Sequence, residues 1–203
     1  MSKTWEDIDG WFDKDFQHLY NEIAKTIQTG IIVEVGVWKG KSILYLFSKL
    51  KEYKRDNVTL FGVDNFIGDK YVGESNFLEE FCTNVVECGS LYFIVDASNR
   101  KTVLGMGSVG NNRLLIVNTP SPEAVEYIPD ELSFVFIDAL HEYEAVKADI
   151  KAWWPKLKIG AILAGHDYNH ICGVKPAVDE IFGKKIKLIG TCWCIQKENN
   201  GLL

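Results

Sequence analysis

Two short segments of the chain place ionisable side chains directly after apolar runs. Asp138 and His141 follow one such run, and His166 and Asp167 follow another. Continuous apolar runs of this length are typical of strands buried in a parallel sheet. Because ligands of open α/β sheets bind at the carboxyl ends of the strands, we expect two carboxylates and two imidazoles at one such edge. These groups bind cations and accept protons. In the alternative, Asp138 caps the following helix, while His166 and Asp167 hydrogen-bond loop backbone.

A glycine-containing turn follows an earlier apolar run. Glu34, Gly36, Gly40 and Ser42 are spaced as E-x-G-x-x-x-G-x-S, after a β-branched stretch and before helical spacing. The end of the turn copies the Gly-Lys-Ser of a P-loop, but a P-loop has four residues between its glycines and this turn has three. The dinucleotide fingerprint also fails, because a tryptophan stands where its second glycine is needed. Two glycines let a ligand approach the backbone closely; in an ordinary turn, Ser42 would simply cap the helix.

Polar residues also follow two other predicted strands. Asp64 and Asn65 end the second strand, where a carboxylate can accept hydrogen bonds from both hydroxyls of a ribose. A turn or capping role is the alternative for Asp64. Asn118 and Ser121 follow a later strand, and Ser121 could either donate to the ring of a nucleobase or cap a helix that starts with Pro122.

Strands and helices alternate along most of the chain. The predicted strands are 31–35, 58–63, 91–95, 113–117, 133–137, 161–164, 185–190 and 192–196. The predicted helices are 1–30, 42–47, 77–86, 146–154 and 174–182, and the glycine-rich stretch 105–112 is predicted as a loop. This order predicts an α/β fold: a single-domain, Rossmann-like, doubly wound sheet, mostly parallel with an antiparallel C-terminal strand and helices on both faces. Within the domain 1–203, we expect 1–30 to be an N-terminal helical extension and 91–112 a lid, an insertion or a dimer contact.

Composition excludes several classes of protein. Of the 203 residues, 47% are hydrophobic and 25% are charged, which excludes a disordered tail or a fibrous repeat. The formal net charge of −6 disfavours nucleic acid and anionic membranes as partners. No spanning apolar run or secretory signal is present, so we expect a cytoplasmic protein. The five cysteines are an odd number, and we expect them to be reduced, with Cys192 and Cys194 lacking the second pair that a zinc site needs.

The glycine turn resembles motif I of the class I S-adenosylmethionine-dependent methyltransferases. The two strand-end segments contain F-I-D-x-x-H-x-Y and G-H-D-Y, and they closely resemble the methyltransferase-24 type of small-molecule O-methyltransferase, which includes macrolide and sugar methyltransferases. The resemblance covers roughly residues 30 to 182. It implies S-adenosylmethionine as the cofactor and methyl transfer to a hydroxyl of a small-molecule acceptor, such as a sugar or a secondary metabolite. A relative that binds the nucleoside without catalysing transfer is the alternative.

The resemblance also implies roles for individual residues. The implied cofactor-binding set is Glu34, Gly36, Gly40, Ser42, Asp64, Asn65, Asn118, Ser121 and Asp138. Asp138, His166 and Asp167 would hold a divalent cation, Mg²⁺ or Mn²⁺, while His141 would be the catalytic base and Asp138 a second catalytic residue. Because Mg²⁺ prefers oxygen, either Mn²⁺ accepts the nitrogen of His166, or His166 lies outside a shell of carboxylates and water.

The acceptor side of the predicted site is apolar. Trp5, Trp11, Phe66 and Tyr71 are candidates for an aromatic acceptor pocket, although core packing is the favoured interpretation for Trp11. The apolar pair 139–140 follows the strand-end acid and would narrow the acceptor site. A homodimer is also expected from the resemblance.

Overall fold

An eight-stranded sheet runs through the described chain. The computed structural model describes residues 3–69, 73–89, 106–109, 111–170 and 173–199. The strands are β1 (Gly30–Val35), β2 (Val58–Asp64), β3 (Gly68–Asp69), β4 (Gly73–Glu74), β5 (Met106–Val109), β6 (Asn112–Asn118), β7 (Leu132–Ile137), β8 (Leu157–Gly165), β9 (Lys187–Ile189) and β10 (Cys192–Gln196), with β3 and β4 forming a separate pair. The helices are α1 (Lys14–Thr26), α2 (Lys41–Glu52), α3 (Leu78–Gly89), α4 (Ser121–Ala124), α5 (Tyr143–Trp153) and α6 (Val174–Phe182).

The strand order of the large sheet is β5-β6-β2-β1-β7-β8-β10-β9. The five central strands, from β6 to β8, are parallel, and β10 runs antiparallel to β8. The predicted doubly wound, mostly parallel sheet with an antiparallel C-terminal strand is therefore confirmed. Because the chain reverses direction of winding at β1, the ends of β1, β2 and β7 form a crevice of the kind that binds ligands in such folds.

Two apolar cores lie on opposite faces of this sheet. Along β1, Ile32 packs in the core beneath α1, α2 and α3, whereas Val33 and Val35 pack in the core beneath α5 and α6. Strands buried on both faces need apolar side chains at consecutive positions, which explains the continuous apolar runs in the sequence. Helices cover both faces, as predicted.

Three sequence predictions need correction or fall outside the described residues. The segment 1–30 is not one helix, because a 3₁₀ turn (Trp5–Asp7) and an extended stretch precede α1, which begins where Asp13 accepts a hydrogen bond from the N–H of Phe16. The loop predicted at 105–112 is wrong in part: β5 pairs with β6 through backbone hydrogen bonds, which do not depend on the weak strand propensity of glycine. The strand predicted at 91–95 and most of the 91–112 segment lie outside the described residues. Among the described helices, none is long and apolar enough to cross a membrane.

Candidate active site

An acid and imidazole cluster lies at the carboxyl ends of β7 and β8. Asp138 directly follows β7, Asp167 comes soon after β8, and His141 lies in the loop before α5. The Nε2 atom of His141 is 3.1 Å from Oδ2 of Asp167 and 3.6 Å from Oδ1 of Asp138. The N–H of Asp138 donates to the C=O of Val35, which holds the end of β7 against the end of β1. The structure therefore brings together the side chains that the sequence placed after two separate strands.

The two carboxylates control the charge of His141. Burial lowers the pKa of its imidazole, but hydrogen bonds and charge from Asp138 and Asp167 outweigh burial and raise the pKa to about 10. Burial raises the pKa of Asp167, but hydrogen bonds from His141 and His166 hold that pKa well below its usual range. His141 is therefore protonated at neutral pH while both carboxylates keep their charge, and it can accept a proton only when those charges are neutralised.

His166 lies between the acid cluster and the N-cap of α1. Its Nδ1 atom is 3.4 Å from Oδ1 of Asp167 and 3.8 Å from Oδ1 of Asp138, and its Nε2 atom lies 3.2 Å from Oδ2 of Asp13 and 2.8 Å from the hydroxyl of Thr191. Burial lowers the pKa of His166, but the surrounding carboxylates raise it to about 9. The side chain thus connects the acid cluster to the N-cap of α1, a contact that the sequence did not indicate.

The group of described side chains whose geometry could hold a metal ion consists of Asp138, His141 and Asp167. Their ligand atoms all lie within 4.8 Å of one another. The ligand set predicted from the sequence had His166 where the structure places His141. The difference arises because the loop after β7 turns back over the end of β8, while His166 is held from the other side by Asp13.

Residues with positive φ recur at the edge of the sheet. Asp167 has φ +57°, Trp38 has φ +42° and Phe66 has φ +55°. Aspartate enters the left-handed region more readily than most residues, but each such backbone costs on the order of 1–3 kcal/mol and is common at ligand sites. The turns after β1, β2 and β8 are therefore held by their surroundings in strained conformations.

A cavity of about 620 Å³ opens over these strand ends. This volume lies within the range of small-molecule binding sites. The predicted site residues that line it are Gly36, Ser42, Asp64, Asn65, Ser121, Asp138, His141, His166 and Asp167. The other predicted residues, Glu34, Gly40 and Asn118, lie outside this lining. One cavity therefore contains both the glycine turn and the acid cluster.

The glycine turn needs its two glycines for different contacts. A Cβ atom on Gly36, which has φ +89°, would lie 2.0 Å from the carbonyl oxygen of Asp138. A Cβ atom on Gly40, which has φ +90° and caps α2, would lie 2.9 Å from the ring of Phe81. Gly36 thus lets the turn pack closely against the backbone after β7, whereas Gly40 permits helix packing. Gly36 lines the cavity and Gly40 does not, which corrects the expectation that both glycines shape the pocket.

Glu34 lies beneath the cavity and does not face it. Its side chain is buried, with 1% exposed; the hydroxyl of Tyr20 donates to Oε2 at 2.8 Å, and the hydroxyl of Ser42 donates to Oε1. Burial raises the pKa of Glu34 to about 8, although these two hydrogen bonds lower it. The expectation that this acid faces the crevice is wrong, because side chains alternate along β1 and Glu34 shares the face of Ile32, under α1. Ser42 links it to the cavity wall.

Asp64 fastens the turns after β1 and β2 to each other. Its Oδ2 accepts a hydrogen bond from the N–H of Trp38 at 2.8 Å, and its Oδ1 accepts one from the N–H of Phe66 at 2.7 Å. Burial raises the pKa of this carboxyl, whereas the backbone hydrogen bonds lower it. Asn65 uses its own side chain in the same loop, because its Oδ1 accepts from the N–H of Ile67. Both Asp64 and Asn65 line the cavity.

One acid in the cavity lining was not predicted from the sequence. Asp149 of α5 lines the cavity although only 3% of its surface is exposed, and it hydrogen-bonds Ser121. The indole N–H of Trp153 donates to the hydroxyl oxygen of Ser121 at 2.9 Å. The helical spacing of Val146, Ile150 and Trp153 places position 149 on the buried face of the helix. A carboxylate on a buried face is unusual, and this signal could have revealed Asp149.

The aromatic residues proposed for an acceptor pocket separate into different environments. Trp11 is 71% exposed, lines the cavity and stacks on Trp38 with ring centroids 5.5 Å apart, so the favoured core interpretation of Trp11 is wrong. Phe66 is buried, and Trp5 packs against the core. Tyr71 lies outside the described residues. The exposed aromatic surface at this cavity therefore comes from the extended segment before α1.

Comparison with known families identifies the fold that carries this cavity. A family model described as a methyltransferase domain matches residues 33–168, which is more than half of the 203-residue chain. The chain belongs to this methyltransferase family. It is a class I S-adenosylmethionine-dependent methyltransferase of the methyltransferase-24 type, as the sequence resemblance implied. A search of curated proteins gave no match.

Solved O-methyltransferase structures share the fold of this methyltransferase. CalS11, a TDP-rhamnose 3'-O-methyltransferase of calicheamicin biosynthesis, is 17% identical with a TM-score of 0.57, over 89% of this chain and 76% of its own. The O-methyltransferase NovP is 19% identical with a TM-score of 0.62, over 91% and 80%. TomG from Streptomyces achromogenes, solved in complex with S-adenosylmethionine, is 12% identical with a TM-score of 0.57, over 92% and 82%. At these identities, the likeness establishes the fold.

Proposed function

We propose that this methyltransferase methylates a hydroxyl oxygen of a small molecule, such as a sugar or a secondary metabolite. The proposal depends on one observation: His141 contacts Asp138 and Asp167 in the same cavity that contains the Gly36 turn. An alcohol must lose its proton as its oxygen attacks the methyl carbon, and oxygen, carbon and sulfur must lie in line. A proton acceptor beside the cofactor turn supports both requirements.

The cofactor would lie across the ends of β1 and β2. Gly36 lines the cavity at the end of β1, where backbone can approach a ligand closely. Asp64 lines the cavity and is oriented by the N–H groups of Trp38 and Phe66, so its carboxylate is placed where ribose hydroxyls would donate to it. Glu34 would act through Ser42 and not by contact with the ligand. Asn118, paired with Asp64 across β2 and β6, would position that strand end.

The acid cluster has the donor set of a divalent cation site. Asp138 and Asp167 offer carboxylate oxygens that lie within 4.8 Å of each other, and oxygen is the ligand atom that Mg²⁺ and Mn²⁺ prefer. His141, whose Nε2 atom is 3.1 Å from Oδ2 of Asp167, would lie beside the cation and outside its coordination shell. A cation held there would lower the pKa of the acceptor hydroxyl and fix its oxygen. We assign cation binding to Asp138 and Asp167.

We assign the role of general base to His141. The carboxylates of Asp138 and Asp167 raise its pKa to about 10, so neutralising them is what allows its Nε2 atom to accept the substrate proton. The side chain lies at the cavity wall, within reach of the region beside Asp138. A base positioned in this way contributes roughly 10²–10⁴-fold to a proton-transfer step.

The acceptor would enter beside Trp11. Its exposed indole and the stacked Trp38 form an aromatic wall next to the acid cluster, and an aromatic face suits a planar or ring-shaped acceptor. A sugar acceptor is consistent with the activity named for CalS11. The apolar side chain of Leu140 also lines the cavity and would narrow the acceptor site.

Substitution of His141 tests the assignment of the base. The protein is assayed with S-adenosylmethionine, Mn²⁺ and a panel of hydroxylated sugars and aromatic metabolites, and release of S-adenosylhomocysteine is measured. His141→Gln is expected to lower kcat at least 100-fold, with unchanged affinity for S-adenosylhomocysteine and for Mn²⁺. His18→Gln, an exposed histidine on α1, is the matched control and should keep the wild-type rate.

Three results would contradict this assignment in different ways. Unchanged turnover of His141→Gln excludes the base role. Loss of Mn²⁺ affinity in His141→Gln makes the histidine a ligand instead. Binding of S-adenosylhomocysteine without turnover of any acceptor favours the non-catalytic relative, the second reading of this fold.

The remaining expectations stay predictions. They are a homodimer, a cytoplasmic location, the absence of nucleic-acid and membrane partners, and the use of Mg²⁺ or Mn²⁺. We also propose that 1–203 is one domain in which 1–30 is an N-terminal extension. Size-exclusion chromatography coupled to light scattering tests the homodimer.

A further inference from the structure

A buried carboxylate outside the acid cluster lines the cavity. Asp149 lies on α5, which packs on the sheet face opposite to α1, and only 3% of its surface is exposed. A buried charge is costly unless it is hydrogen-bonded. Its place in the lining of a ligand cavity therefore raises the question of what donates to it.

Ser121 is one hydrogen-bond donor to Asp149. The indole N–H of Trp153 donates to Ser121, so the hydroxyl hydrogen of Ser121 is free to donate to Asp149. Burial raises the pKa of Asp149 to about 6, although the Ser121 hydrogen bond lowers it, so the carboxylate is mostly ionised at neutral pH. Within the part of the chain that the structure describes, Ser121 is the one side chain found to donate to it. An ionised carboxylate has about four acceptor positions, which leaves this wall rich in acceptors.

The order of the sheet indicates which part of the cofactor reaches this wall. Asp138 and Asp167 follow β7 and β8 on one side of β1, whereas Asp64 and Ser121 follow β2 and β6 on the other side. A nucleoside with its ribose at Asp64 and its sulfur toward Asp138 must extend its base away from the acid cluster. The base then lies at the end of β6, where Ser121 and Asp149 form the wall.

We propose that Asp149 selects the adenine base of the cofactor by accepting a hydrogen bond from its exocyclic amino group. The inference rests on the proposed placement of the cofactor across β1 and β2. Adenine presents a donor at this position, which matches an acceptor-rich wall, whereas hypoxanthine presents a carbonyl oxygen, an acceptor that a carboxylate repels. Asp149 is therefore a specificity-determining residue, oriented by Ser121 and Trp153.

Calorimetric titration with two probes tests this assignment without requiring an acceptor. The probes are S-adenosylhomocysteine and S-inosylhomocysteine, which differ at the amino group in question. The wild type is expected to bind the adenine probe at least 10-fold more tightly, the effect of one hydrogen bond to a charged group. Asp149→Asn is expected to reduce this ratio to about 3-fold or less, because an amide can turn its N–H toward the carbonyl. Glu144→Gln removes an exposed carboxylate from the same helix and should keep the wild-type ratio.

The outcomes separate this inference from the proposed function. Equal affinity of the wild type for both probes overturns the role of Asp149, and this comparison does not depend on whether a variant folds. Full discrimination by an Asp149→Asn protein that melts at the wild-type temperature also overturns it, and shows that the acid merely anchors Ser121. A wild type that binds neither probe overturns the proposed cofactor site itself.

Discussion

Replacing Gly36 by alanine tests whether the close approach of β1 and β7 positions the acid cluster. A Cβ atom there would lie 2.0 Å from the carbonyl oxygen and 2.5 Å from the carbonyl carbon of Asp138, and contacts under 3.0 Å are essentially never seen. Both obstructing atoms belong to the backbone, so no side chain can rotate to relieve the clash. The end of β7 must move away from β1 by about 1 Å, and the Asp138 side chain moves with it.

The expected loss of stability has two parts. Alanine at φ +89° costs about 1–2 kcal/mol in backbone strain. The displaced strand end adds about 1–3 kcal/mol, the usual range for forcing extra atoms into a packed region. Gly160→Ala is the matched control, because Gly160 has φ +84° and nothing lies within 4 Å of its added Cβ. That variant should show the strain alone, about 1–2 kcal/mol.

Urea unfolding and methyl transfer measure the two consequences together. Gly36→Ala should lose about 1–3 kcal/mol more unfolding free energy than Gly160→Ala, a difference of roughly 2–12 °C in Tm for a chain of this size. It should also lose most of its turnover, whereas Gly160→Ala keeps it. Equal losses of stability in the two variants would show that the contact with Asp138 relaxes freely, and the proposed coupling between the glycine turn and the acid cluster would be refuted.

Three further predictions concern charge, capping and metal. The pKa of Glu34 in the folded protein is raised from 4.5 to about 8, so its contribution to stability is most favourable below pH 4.5 and is lost as the pH rises toward 8. Glu34→Gln should remove this loss, which is roughly 3 kcal/mol between pH 5 and 7.5 and is measured by urea unfolding at a series of pH values. A variant whose unfolding free energy falls with pH as steeply as that of the wild type would contradict the assignment. Asp13→Ala removes the N-cap carboxylate that accepts from the N–H of Phe16, together with its contacts to His166 and Thr191. The free energy of unfolding should fall by about 0.5–2 kcal/mol, whereas an unchanged urea midpoint would show that these contacts contribute nothing. Treatment with a chelator should abolish turnover, and added Mg²⁺ or Mn²⁺ should restore it; full turnover in the presence of chelator would exclude metal assistance.

The sequence predicts the residues at strand ends well, because their position depends on local pattern and on a general rule of topology. Continuous apolar runs identify β7 and β8, and parallel strands bring their carboxyl ends to one edge. Asp138 and Asp167 follow from these two facts alone. Glu34 was predicted to face the cavity, although the alternation of side chains along β1 already places it on the face of Ile32.

The helices and the extended N-terminal segment contribute what the sequence could not predict. Asp13 and Thr191 reach His166 from parts of the chain that are far apart in sequence, and no local pattern indicates such a contact. Trp11 stands at helical spacing, yet the cap at Asp13 starts α1 later and leaves the indole exposed beside the cavity. Long-range contacts, and the exact start of a helix, are decided by packing and not by periodicity.

The site residues are arranged along the edge of the sheet in the order of the strands in the sheet, and not in their order in the chain. Across the edge from β6 to β8, the strand ends provide Ser121, Asp64, Gly36, Asp138 and Asp167 in turn. Four strand spacings of about 4.8 Å make this edge roughly 19 Å long, enough for an extended nucleoside followed by an acceptor. Because β1 is central, its glycine turn touches both halves, and with the proposed placement of the ligands any change there would move cofactor and acceptor relative to each other. The proposed cofactor and acceptor parts of the cavity would therefore shift together, which a reaction that needs oxygen, carbon and sulfur in line requires.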